Sequence, residues 1–404
     1  MNVLVVNAGS SSLKYQLFDT EKHIVAAKGL CERIGLDGAI SHTQLLTGKT
    51  YKEEVPMSNH TVAMREVVKL LTSDEYGCVK SMSEIEAVGH RIVHGGEYFS
   101  ESVLFNDDVL SKLEKCRDLA PLHTGAHIMG IKGCLEAMPG TPMVLVFDTA
   151  FHRTMPEYAS TYAIPYEMAE KYSIRRYGAH GTSHRYVSEE AVKMLGGKAQ
   201  GTKIVTCHLG NGSSISAVKD GVCIDTSMGF TPLAGVIMGS RCGDMDPAVV
   251  PYIMKKTGMT PDEINEFMNK KCGFLGVSGI SSDCRDLDAA VLEGNRRAKL
   301  ATELLAYQIR KYIGAYMVAM GGLDAIVFTA GIGENNALLR GNVMSGMEPF
   351  GIALDAELNA NVPRPVKNTD LSKPESRVKI FLIPTNEELT IALDTKEIVE
   401  GLKK

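Results

Sequence analysis

The same strand–turn–strand pattern occurs twice in this chain, about two hundred residues apart. A β-branched run, Val3–Val6, leads into the polar turn Asn7–Ser12, after which apolar and polar residues alternate over 13–18. Near the middle of the chain, the apolar run Ile204–Cys207 leads through a glycine-rich turn into a second strand, Ile215–Val218. Strands on both sides of a small polar turn predict a hairpin. Two such hairpins indicate an ancient duplication, with one copy in each of two lobes.

Between and after the hairpins, buried strands alternate with helices. Continuous apolar runs predict strands at Met143–Phe147, Ala325–Thr329 and Lys379–Ile383. Helical periodicity predicts helices at Val62–Leu71, Val109–Leu119, Tyr186–Leu195 and Arg296–Met320. Thr260–Glu263 carries a full helix-start signal of cap, proline and glutamate. The predicted fold class is α/β, with two related lobes and a cleft between them.

Composition excludes several classes of protein. The 404 residues, 44% hydrophobic and 23% charged, are typical of two or three globular domains. A net charge of -5 and dispersed lysines and arginines exclude a nucleic-acid partner. No basic leader precedes the first apolar run and no apolar stretch reaches about 18 residues, which predicts a cytoplasmic protein without membrane contact. Nine cysteines without a C-x-x-C pair predict reduced thiols.

Three segments have the composition of phosphate-binding loops. Small residues in the turns Asn7–Ser12 and Gly210–Ser214 let backbone N–H groups approach phosphate oxygens. Either turn alone is typical of an ordinary surface hairpin, and it is the pair that favours a nucleotide. Thr329–Asn335 predicts a glycine-rich turn between a buried strand and a helix, which also suits a nucleotide. Neither the Rossmann pattern nor a P-loop is present, so ATP would be bound by another fold.

Four further segments place charge between glycines or at the end of an apolar strand. They are Gly89–Gly96, Phe147–His152, Gly178–His184 and Gly239–Asp244. Arginine and aspartate in such positions can clamp carboxylate and phosphoryl oxygens. Each segment taken singly could equally hold a surface charge or a buried ion pair.

Three histidine pairs have the H-x-x-x-H spacing: His90/His94, His123/His127 and His180/His184. A zinc site is the remote interpretation, because no H-E-x-x-H pattern occurs and glycines flanking two of the pairs argue against a helix. Hydrogen-bonded loop histidines are one alternative, and an imidazole near a transferring phosphate is the other.

Together these segments resemble the acetate kinase family, within the wider group that shares the ATPase core of actin, hexokinase and Hsp70. The matching segments span nearly the whole chain in family order. They are Asn7–Lys14, His90–Gly96, Phe147–His152, His180–His184, His208–Gly212, Thr329–Asn335 and Pro384–Glu388.

The resemblance implies an actin-like, ribonuclease H-like fold of two lobes. The N-terminal lobe would comprise 1–150 with 386–404 returning to it as a crossover helix, and 151–385 would form the nucleotide-binding and dimerisation lobe. It also implies a homodimer that converts ATP and acetate reversibly to ADP and acetyl phosphate. Mg²⁺ would be the cofactor, and Mn²⁺ could substitute for it.

The resemblance further implies roles for individual residues. The catalytic set would be Arg91, Asp148, His180 and Arg241, with His180 and Arg241 stabilising the transition state and His123 close by. The metal positions would be Asn7 and Glu387, with Asp148 in the magnesium shell. The acid and its methyl group would be bound by Arg91, Val93, Leu122, Ala179 and Pro232. Nucleotide contacts would come from Lys14, His208, Gly210, Asn211, Gly212, Asp283, Arg285, Gly331, Ile332, Gly333 and Asn335.

Elementary chemistry supports these roles. Acetate is ionised at neutral pH, so no strong base is needed and Asp148 is better interpreted as a positioning or magnesium-shell residue. Bringing a carboxylate to a triphosphate requires fixed positive charge in a dry site. Arg91, Arg241 and His180 would supply it, and in-line transfer needs no phosphoenzyme.

Two segments depart from the family pattern. After His123 the family usually has Asn-Pro-Pro-Asn, whereas this chain has Thr124–His127, a loop expected to be more flexible or differently packed. Before His180 the family usually has phenylalanine, whereas this chain has Ala179. A smaller side chain there would admit propionate or butyrate, unless Tyr177 or the altered loop refills the space.

Two rival functions follow. The first is a propionate or other short-chain acyl kinase on the same scaffold. The second is an actin-like ATPase module that binds a partner without carboxylate chemistry, which the joint presence of Arg91, Asp148, His180 and Arg241 disfavours. A zinc hydrolase built on the histidine pairs is a remote third.

Overall fold

The computed structural model describes residues 1–121 and 123–402. The chain forms two compact units. The N-terminal unit comprises Met1–Ala150 with Asn386–Lys404, and the C-terminal unit comprises Phe151–Thr385. Within the described ranges, no helix has both the length and the apolar character needed to span a bilayer.

Each unit is built on one mixed β-sheet. The strands of the N-terminal unit are β1 Asn2–Ala8, β2 Leu13–Asp19, β3 Ile24–Glu32, β4 Ala39–Gln44, β5 Thr50–Glu53, β6 Ala87–Ile92, β7 Val103–Leu104 and β8 Met143–Phe147. Those of the C-terminal unit are β9 Lys203–Leu209, β10 Ser213–Lys219, β11 Val222–Thr226, β12 Ala325–Thr329, β13 Thr369–Asp370 and β14 Lys379–Leu382. The three buried strands predicted from apolar runs are confirmed as β8, β12 and β14.

Helices connect these strands. The α-helices are α1 His60–Leu71, α2 Asp107–Lys115, α3 Thr124–Ala137, α4 Glu157–Ser160, α5 Tyr166–Lys171, α6 Gly181–Met194, α7 Val249–Thr257, α8 Pro261–Lys270, α9 Gly273–Ser278, α10 Cys284–Leu292, α11 Arg296–Met320, α12 Ala330–Asn335, α13 Ala337–Met344, α14 Ala356–Ala360 and α15 Glu387–Gly401. Short 3₁₀ helices cover Met82–Glu84, Arg117–Leu119, Ala150–Thr154 and Glu348–Phe350. The predicted start of α8 is confirmed, because the Thr260 and Glu263 side chains form a reciprocal capping box.

The N-terminal sheet has the strand order β5-β4-β3-β2-β1-β6-β8-β7. The predicted first hairpin is confirmed as β1 and β2, which are antiparallel with Asn7 opposite Lys14. On the other side of β1, the neighbours β6 and β8 are parallel to it and to each other. Parallel strands end at the same edge of a sheet, so a residue near the end of β6 and one just after β8 are brought together.

The C-terminal sheet has the order β11-β10-β9-β12-β14-β13. Its hairpin, β9 and β10, is antiparallel with Leu209 opposite Ser213, and β12 and β14 extend it as parallel strands. Five strands therefore repeat one arrangement, since β3-β2-β1-β6-β8 and β11-β10-β9-β12-β14 have the same order and directions. This repeated order agrees with the duplication predicted from the two hairpins.

The longest helix, α11, organises the core of the C-terminal unit. It begins at the Asn295 cap and ends where Gly321 adopts a left-handed φ of 71°. Leu305, Ile309 and Ile313 are fully buried against the sheet residues of the same apolar cluster. Burying each such side chain stabilises the fold by about 1.5–3 kcal/mol relative to exposure.

Helix α15 belongs to the N-terminal unit although it follows the C-terminal unit in sequence. Its residues Ile391, Ala392 and Val399 pack with Val3, Val5, Val144 and Val146 of the N-terminal sheet. A side chain at Gly89 would overlap Ile391 and Thr395, so a glycine in β6 is what lets the helix approach. The helix thereby places its first turn, which carries Glu387 and Glu388, beside the N-terminal sheet.

Three local predictions are wrong. The expected turn at Thr329–Asn335 is instead the helix α12. This helix begins directly after β12, because Ala330 adopts a left-handed φ of 64° that changes the direction of the chain. The glycines around His180 do not prevent a helix, since His180 makes a similar reversal (φ 58°) and α6 starts at Gly181. Helix α2 ends at Lys115 rather than Leu119, because the chain tightens there into a 3₁₀ turn.

Candidate active site

An ion pair between Arg91 and Asp148 forms the charged centre of the N-terminal unit. Asp148 directly follows β8, and its backbone N–H donates to the carbonyl of Ile92 over 2.9 Å. Arg91 Nη2 donates to Asp148 Oδ2 over 2.8 Å, and Arg91 Nε lies 3.1 Å from Oδ1. The Asp148 side chain is 2% exposed and that of Arg91 22%. The charge of Asp148 raises the pKa of Arg91, so the guanidinium stays protonated.

Glu387, in the first turn of α15, adds a second buried carboxyl group to this centre. Its Oε1 atom is buried, and none of the described residues forms a hydrogen bond with it. Burial raises the pKa of Glu387 to about 7, the charge of Arg91 opposes that rise, and the charge of Asp148 adds to it. The site therefore holds the Asp148 carboxylate, whose charge Arg91 balances, and the Glu387 carboxyl group, which titrates near neutrality.

The raised pKa of Glu387 predicts a pH-dependent stability. The folded chain keeps a proton that the unfolded chain has lost between pH 4.5 and about 7, so the free energy of unfolding falls as pH rises through that window. The contribution of this one group is up to about 3 kcal/mol. Denaturant titration at about pH 5 and about pH 8 in metal-free buffer measures it. In Glu387→Gln the difference between the two pH values should shrink by a similar amount, and an unchanged difference would contradict the assignment.

Asn7 and Lys14 face each other across the first hairpin, one residue pair before its turn. Both line a groove of about 280 Å³ on the N-terminal sheet, together with Glu388 of α15. The predicted metal position Asn7, the predicted phosphate contact Lys14 and the first turn of α15 are thus brought together within one unit. Within the described residues, no three histidine, cysteine, aspartate or glutamate side chains form a ready-made metal centre.

The altered segment Thr124–His127 is not the expected loop, because it forms the first turn of α3. His127 Nε2 accepts a hydrogen bond of 3.3 Å from the backbone N–H of Val93, a predicted acid-binding residue. Burial lowers the pKa of His127 to about 4, so the ring is neutral and can accept. His127 stood out in the sequence through its H-x-x-x-H spacing and as the end of the altered segment, but neither feature predicts this support of Val93. Leu122 lies outside the described residues.

In the C-terminal unit, His180 and Arg241 converge over Gly212. A Cβ atom built on Gly212 would lie 3.4 Å from Arg241 Nη1 and 3.5 Å from His180 Nε2. The same guanidinium nitrogen donates to the carbonyl of Pro232 over 3.0 Å. The His180 ring stacks on that of His208 at 4.1 Å. Two groups that can donate to an anion therefore border one small space above the backbone of Gly212.

Ala179, the departure beside His180, is buried with two methionines. It packs with Met228 and Met238 in a small apolar cluster, and its carbonyl accepts from His152 Nε2 over 2.9 Å. Tyr177 points elsewhere, since its hydroxyl donates to the carbonyl of Ser173 over 2.7 Å. Methionine is flexible and fills irregular gaps well.

A cavity of about 690 Å³ brings together most of the predicted nucleotide residues. The predicted residues that line it are Gly210, Asn211, Asp283, Arg285, Gly331, Ile332 and Asn335. The four remaining predicted nucleotide residues do not line the cavity. His208 stacks on His180, and Gly212 lies beside His180. Gly333 is buried within α12, and Lys14 belongs to the N-terminal unit.

Sequence reasoning missed part of the cavity wall. Asn336 Nδ2 donates to Asp288 Oδ2 over 2.7 Å and lies 3.3 Å from Cys284 Sγ, and all three residues line the cavity. Asp288 lies one helical turn after Cys284, so the motif around Asp283 could have led to it. At the cavity mouth, Arg285 donates to Asp283 over 2.6 Å, and this bond lowers the pKa of Asp283 to about 2.

A buried arginine supports the glycine segment of the cavity, which sequence reasoning also missed. Arg340 is 1% exposed and donates to the carbonyl groups of Gly333 and Glu334 over 2.8 and 3.1 Å. Its Nε donates to Asn359 Oδ1 over 2.7 Å. The carbonyl groups at the end of a helix need such donors, which explains why 330–335 is helical rather than an open turn.

Residues 2–393 match the Acetokinase family. The acetate kinase of Methanosarcina thermophila is 55% identical over 400 residues, covering 99% of this chain and 97% of that protein. The crystal structure of Porphyromonas gingivalis acetate kinase superposes with a TM-score of 0.94 at 47% identity, covering 98% of this chain and 99% of that one. The crystal structure of a propionate kinase from Francisella tularensis superposes with a TM-score of 0.90 at 41% identity, covering 98% of this chain and 99% of that one.

These similarities extend over nearly the whole chain and therefore over both units. The class of protein is therefore a phosphotransferase that uses a carboxyl group as acceptor. Within that class, the chain belongs to the acetokinase family.

Proposed function

We propose that this chain catalyses the reversible, ATP-dependent phosphorylation of acetate to acetyl phosphate. The observation that carries the proposal is its similarity to acetate kinase over 99% of its length. The geometry supports it, because each unit presents a fixed arginine to its own site, Arg91 in one and Arg241 in the other.

The proposed reaction is a direct transfer. A carboxylate oxygen of acetate forms a bond to the γ-phosphorus of ATP as the bond from that phosphorus to the β-bridging oxygen breaks, and ADP leaves with the electron pair. Acetate is already ionised at neutral pH, so no residue needs to remove a proton. The chain's task is to hold two anions together; Arg91 and Arg241 supply the positive charge, and His180 supplies a hydrogen-bond donor.

Asp148 is proposed to orient Arg91 rather than to act as a base. Both of its carboxylate oxygens accept from the Arg91 side chain. A carboxylate held in this way fixes the guanidinium, and the forked geometry of arginine suits the acid's own carboxylate.

Mg²⁺ is the proposed cofactor, with Mn²⁺ as a substitute. Magnesium keeps several waters and takes only one or two carboxylates plus substrate phosphates, so a site without three clustered acidic residues fits it. The buried Oε1 of Glu387, with Asn7 and Asp148 in the same unit, supplies oxygens of the right kind. Bound magnesium would neutralise phosphate charge during the transfer.

The nucleotide is proposed to occupy the cavity of about 690 Å³ in the C-terminal unit. Asp283 and Arg285 at its mouth and the Gly331–Asn335 helix would contact adenosine. Asn211 and Gly212 would approach the phosphates, because a glycine leaves the backbone N–H accessible.

Acetate is proposed as the main acid and propionate as the alternative. The space opened by Ala179 is proposed to be taken up by Met228 and Met238, which bury its methyl group. The similarity to a propionate kinase keeps the alternative open. One extra methylene changes binding by only about 1–3 kcal/mol, so both acids are expected to react.

A homodimer is proposed for the protein in solution. The segment 157–172 of the C-terminal unit exposes several large apolar side chains, with Tyr158 at 88% and Tyr166 and Tyr172 above half. A cluster of this kind is typical of a surface that a partner covers. Light scattering should give about twice the mass of one 43.8 kDa chain, and a monomer would contradict the proposal.

The cytoplasm is the proposed location. All nine cysteines are free thiols. Unpaired thiols persist in reducing compartments, where ATP is also available.

Hydroxamate trapping of acyl phosphate tests the proposed function. Purified protein with Mg-ATP is given acetate, propionate or butyrate in parallel, and release of ADP is measured with and without acid. A product with acetate dominant is the expected result. Dominance of a longer acid would keep the reaction and change the substrate. ADP release without any acyl phosphate would favour the ATPase-module alternative, and no product and no ADP would overturn the enzyme assignment.

A further inference from the structure

A chain of hydrogen bonds leads from His180 into the core of the C-terminal unit. His180 Nδ1 lies 2.8 Å from the Ser214 hydroxyl, which lies 2.7 Å from His184 Nε2. His184 Nδ1 lies 2.7 Å from the Thr206 hydroxyl. Ser214, His184 and Thr206 are fully buried. Three elements, α6, β9 and β10, therefore meet in one network behind His180.

Burial lowers the pKa of His184 well below its ordinary value, so this ring is neutral, with one donor and one acceptor nitrogen. Which group donates each hydrogen bond of the network then depends on Thr206. In the described part of the chain its hydroxyl can donate to His184 Nδ1 at 2.7 Å or to the Ser216 carbonyl at 3.5 Å. A bond of 3.5 Å is long and weak, and an unmet buried donor costs about 1–3 kcal/mol, whereas an unused lone pair costs less. Thr206 therefore donates to His184.

This donation by Thr206 determines the positions of the protons on His184, Ser214 and His180. With Nδ1 accepting, neutral His184 carries its proton on Nε2 and donates to Ser214. Ser214 has one proton, so it donates to His180 Nδ1. Nδ1 of His180 is then an acceptor, and the ring proton of neutral His180 is on Nε2, the nitrogen that borders the space above Gly212 shared with Arg241.

We propose that Ser214 is a positioning residue that makes neutral His180 a hydrogen-bond donor through Nε2. This inference rests on the proposed function, in which that nitrogen faces the transferring phosphoryl group. The stacking of His180 on His208 at 4.1 Å also disfavours a charge on both rings, because two imidazolium rings at that distance would repel. Arg241 then supplies the full charge, and His180 a directed N–H bond.

Two variants separate this role from simple packing. Ser214→Ala removes the proton donated to Nδ1, so both tautomers of His180 become accessible; we expect kcat to fall by about 10- to 100-fold with little change in the KM for ATP. Ser214→Thr keeps the hydroxyl and should recover most of kcat. Ser216→Ala is the matched control, because Ser216 is equally buried on the same face of β10 and, within the described part of the chain, its hydroxyl hydrogen-bonds Thr226.

The tautomer itself is measured by nitrogen-15 NMR of the imidazole rings in the full chain, with His180 assigned by its absence in His180→Asn. We expect the Nε2–H form in the wild type and a mixture in Ser214→Ala. A wild-type His180 protonated only on Nδ1 would overturn the proposal, as would an unchanged kcat in Ser214→Ala. The NMR measurement does not depend on turnover, so it tests the tautomer of His180 even if the proposed reaction does not occur. The hydroxamate assay tests the reaction separately.

Discussion

Replacement of Arg91 by alanine is expected to lower kcat for acyl phosphate formation by at least about 10³-fold, the loss that follows removal of an arginine from a transferring phosphoryl group. It should also lower the free energy of unfolding by about 3 kcal/mol, because the buried Asp148 carboxylate loses its ion pair with Arg91. Hydroxamate trapping measures the first effect and denaturant titration the second.

Two further variants sharpen this test. Arg91→Lys keeps the charge but loses the forked contact with Asp148, so its kcat should lie between those of the wild type and the alanine variant. Lys193→Ala breaks the exposed bond to Glu190, 2.6 Å long, and should change stability by less than about 1 kcal/mol with kcat unchanged. A kcat within about tenfold of wild type in Arg91→Ala would remove Arg91 from the proposed site.

The second large effect is expected for Gly212→Ala. The added methyl group would touch Arg241 and His180 at ordinary contact distances, so the folded chain can accept it. It would fill the space between the two groups where phosphoryl oxygens are proposed to lie. Misplacing a reacting group by about 1 Å can cost about 100-fold, so kcat should fall by at least that factor.

Stability distinguishes this outcome from misfolding. The free energy of unfolding of Gly212→Ala should equal or slightly exceed that of the wild type, since an alanine restricts the unfolded chain. Gly314→Ala in α11 is the control, because nothing lies within 4 Å of its added methyl group; it should keep full activity and gain about 0.5–1 kcal/mol from helix propensity. Wild-type kcat in Gly212→Ala would show that the space is not used.

The sequence predicted those parts of the fold that depend on local patterns. Both hairpins, the buried strands β8, β12 and β14 and the start of α8 follow from alternation, apolar runs and capping residues close together in the chain. The helical state of Gly331–Asn335 could not be predicted locally, because it depends on Arg340 donating to carbonyl groups from outside the segment.

The candidate site also has parts that local sequence patterns indicate and parts that depend on distant contacts. Glycine-rich turns and charged strand ends led to the segments that hold Asn7, Arg91, Asp148 and Asn211, whereas the roles of these individual residues are what the resemblance to the acetate kinases implies. Asp288 was missed, and the contacts made by His127 and Ser214 were not predicted, since the neighbours of a side chain in the fold cannot be read from its own segment. Their roles arise only from the elements that the fold brings beside them.

The position of α15 has a consequence for how the protein is made. The ribosome synthesises the strands of the N-terminal sheet first, but the helix that covers Val3, Val5, Val144 and Val146 emerges only after the whole C-terminal unit. Until then, this apolar face stays open to chaperones, and Glu387 is absent. A nascent chain that stops before α15 would thus lack a proposed magnesium position and also display the exposed apolar surface by which quality control recognises unfinished proteins.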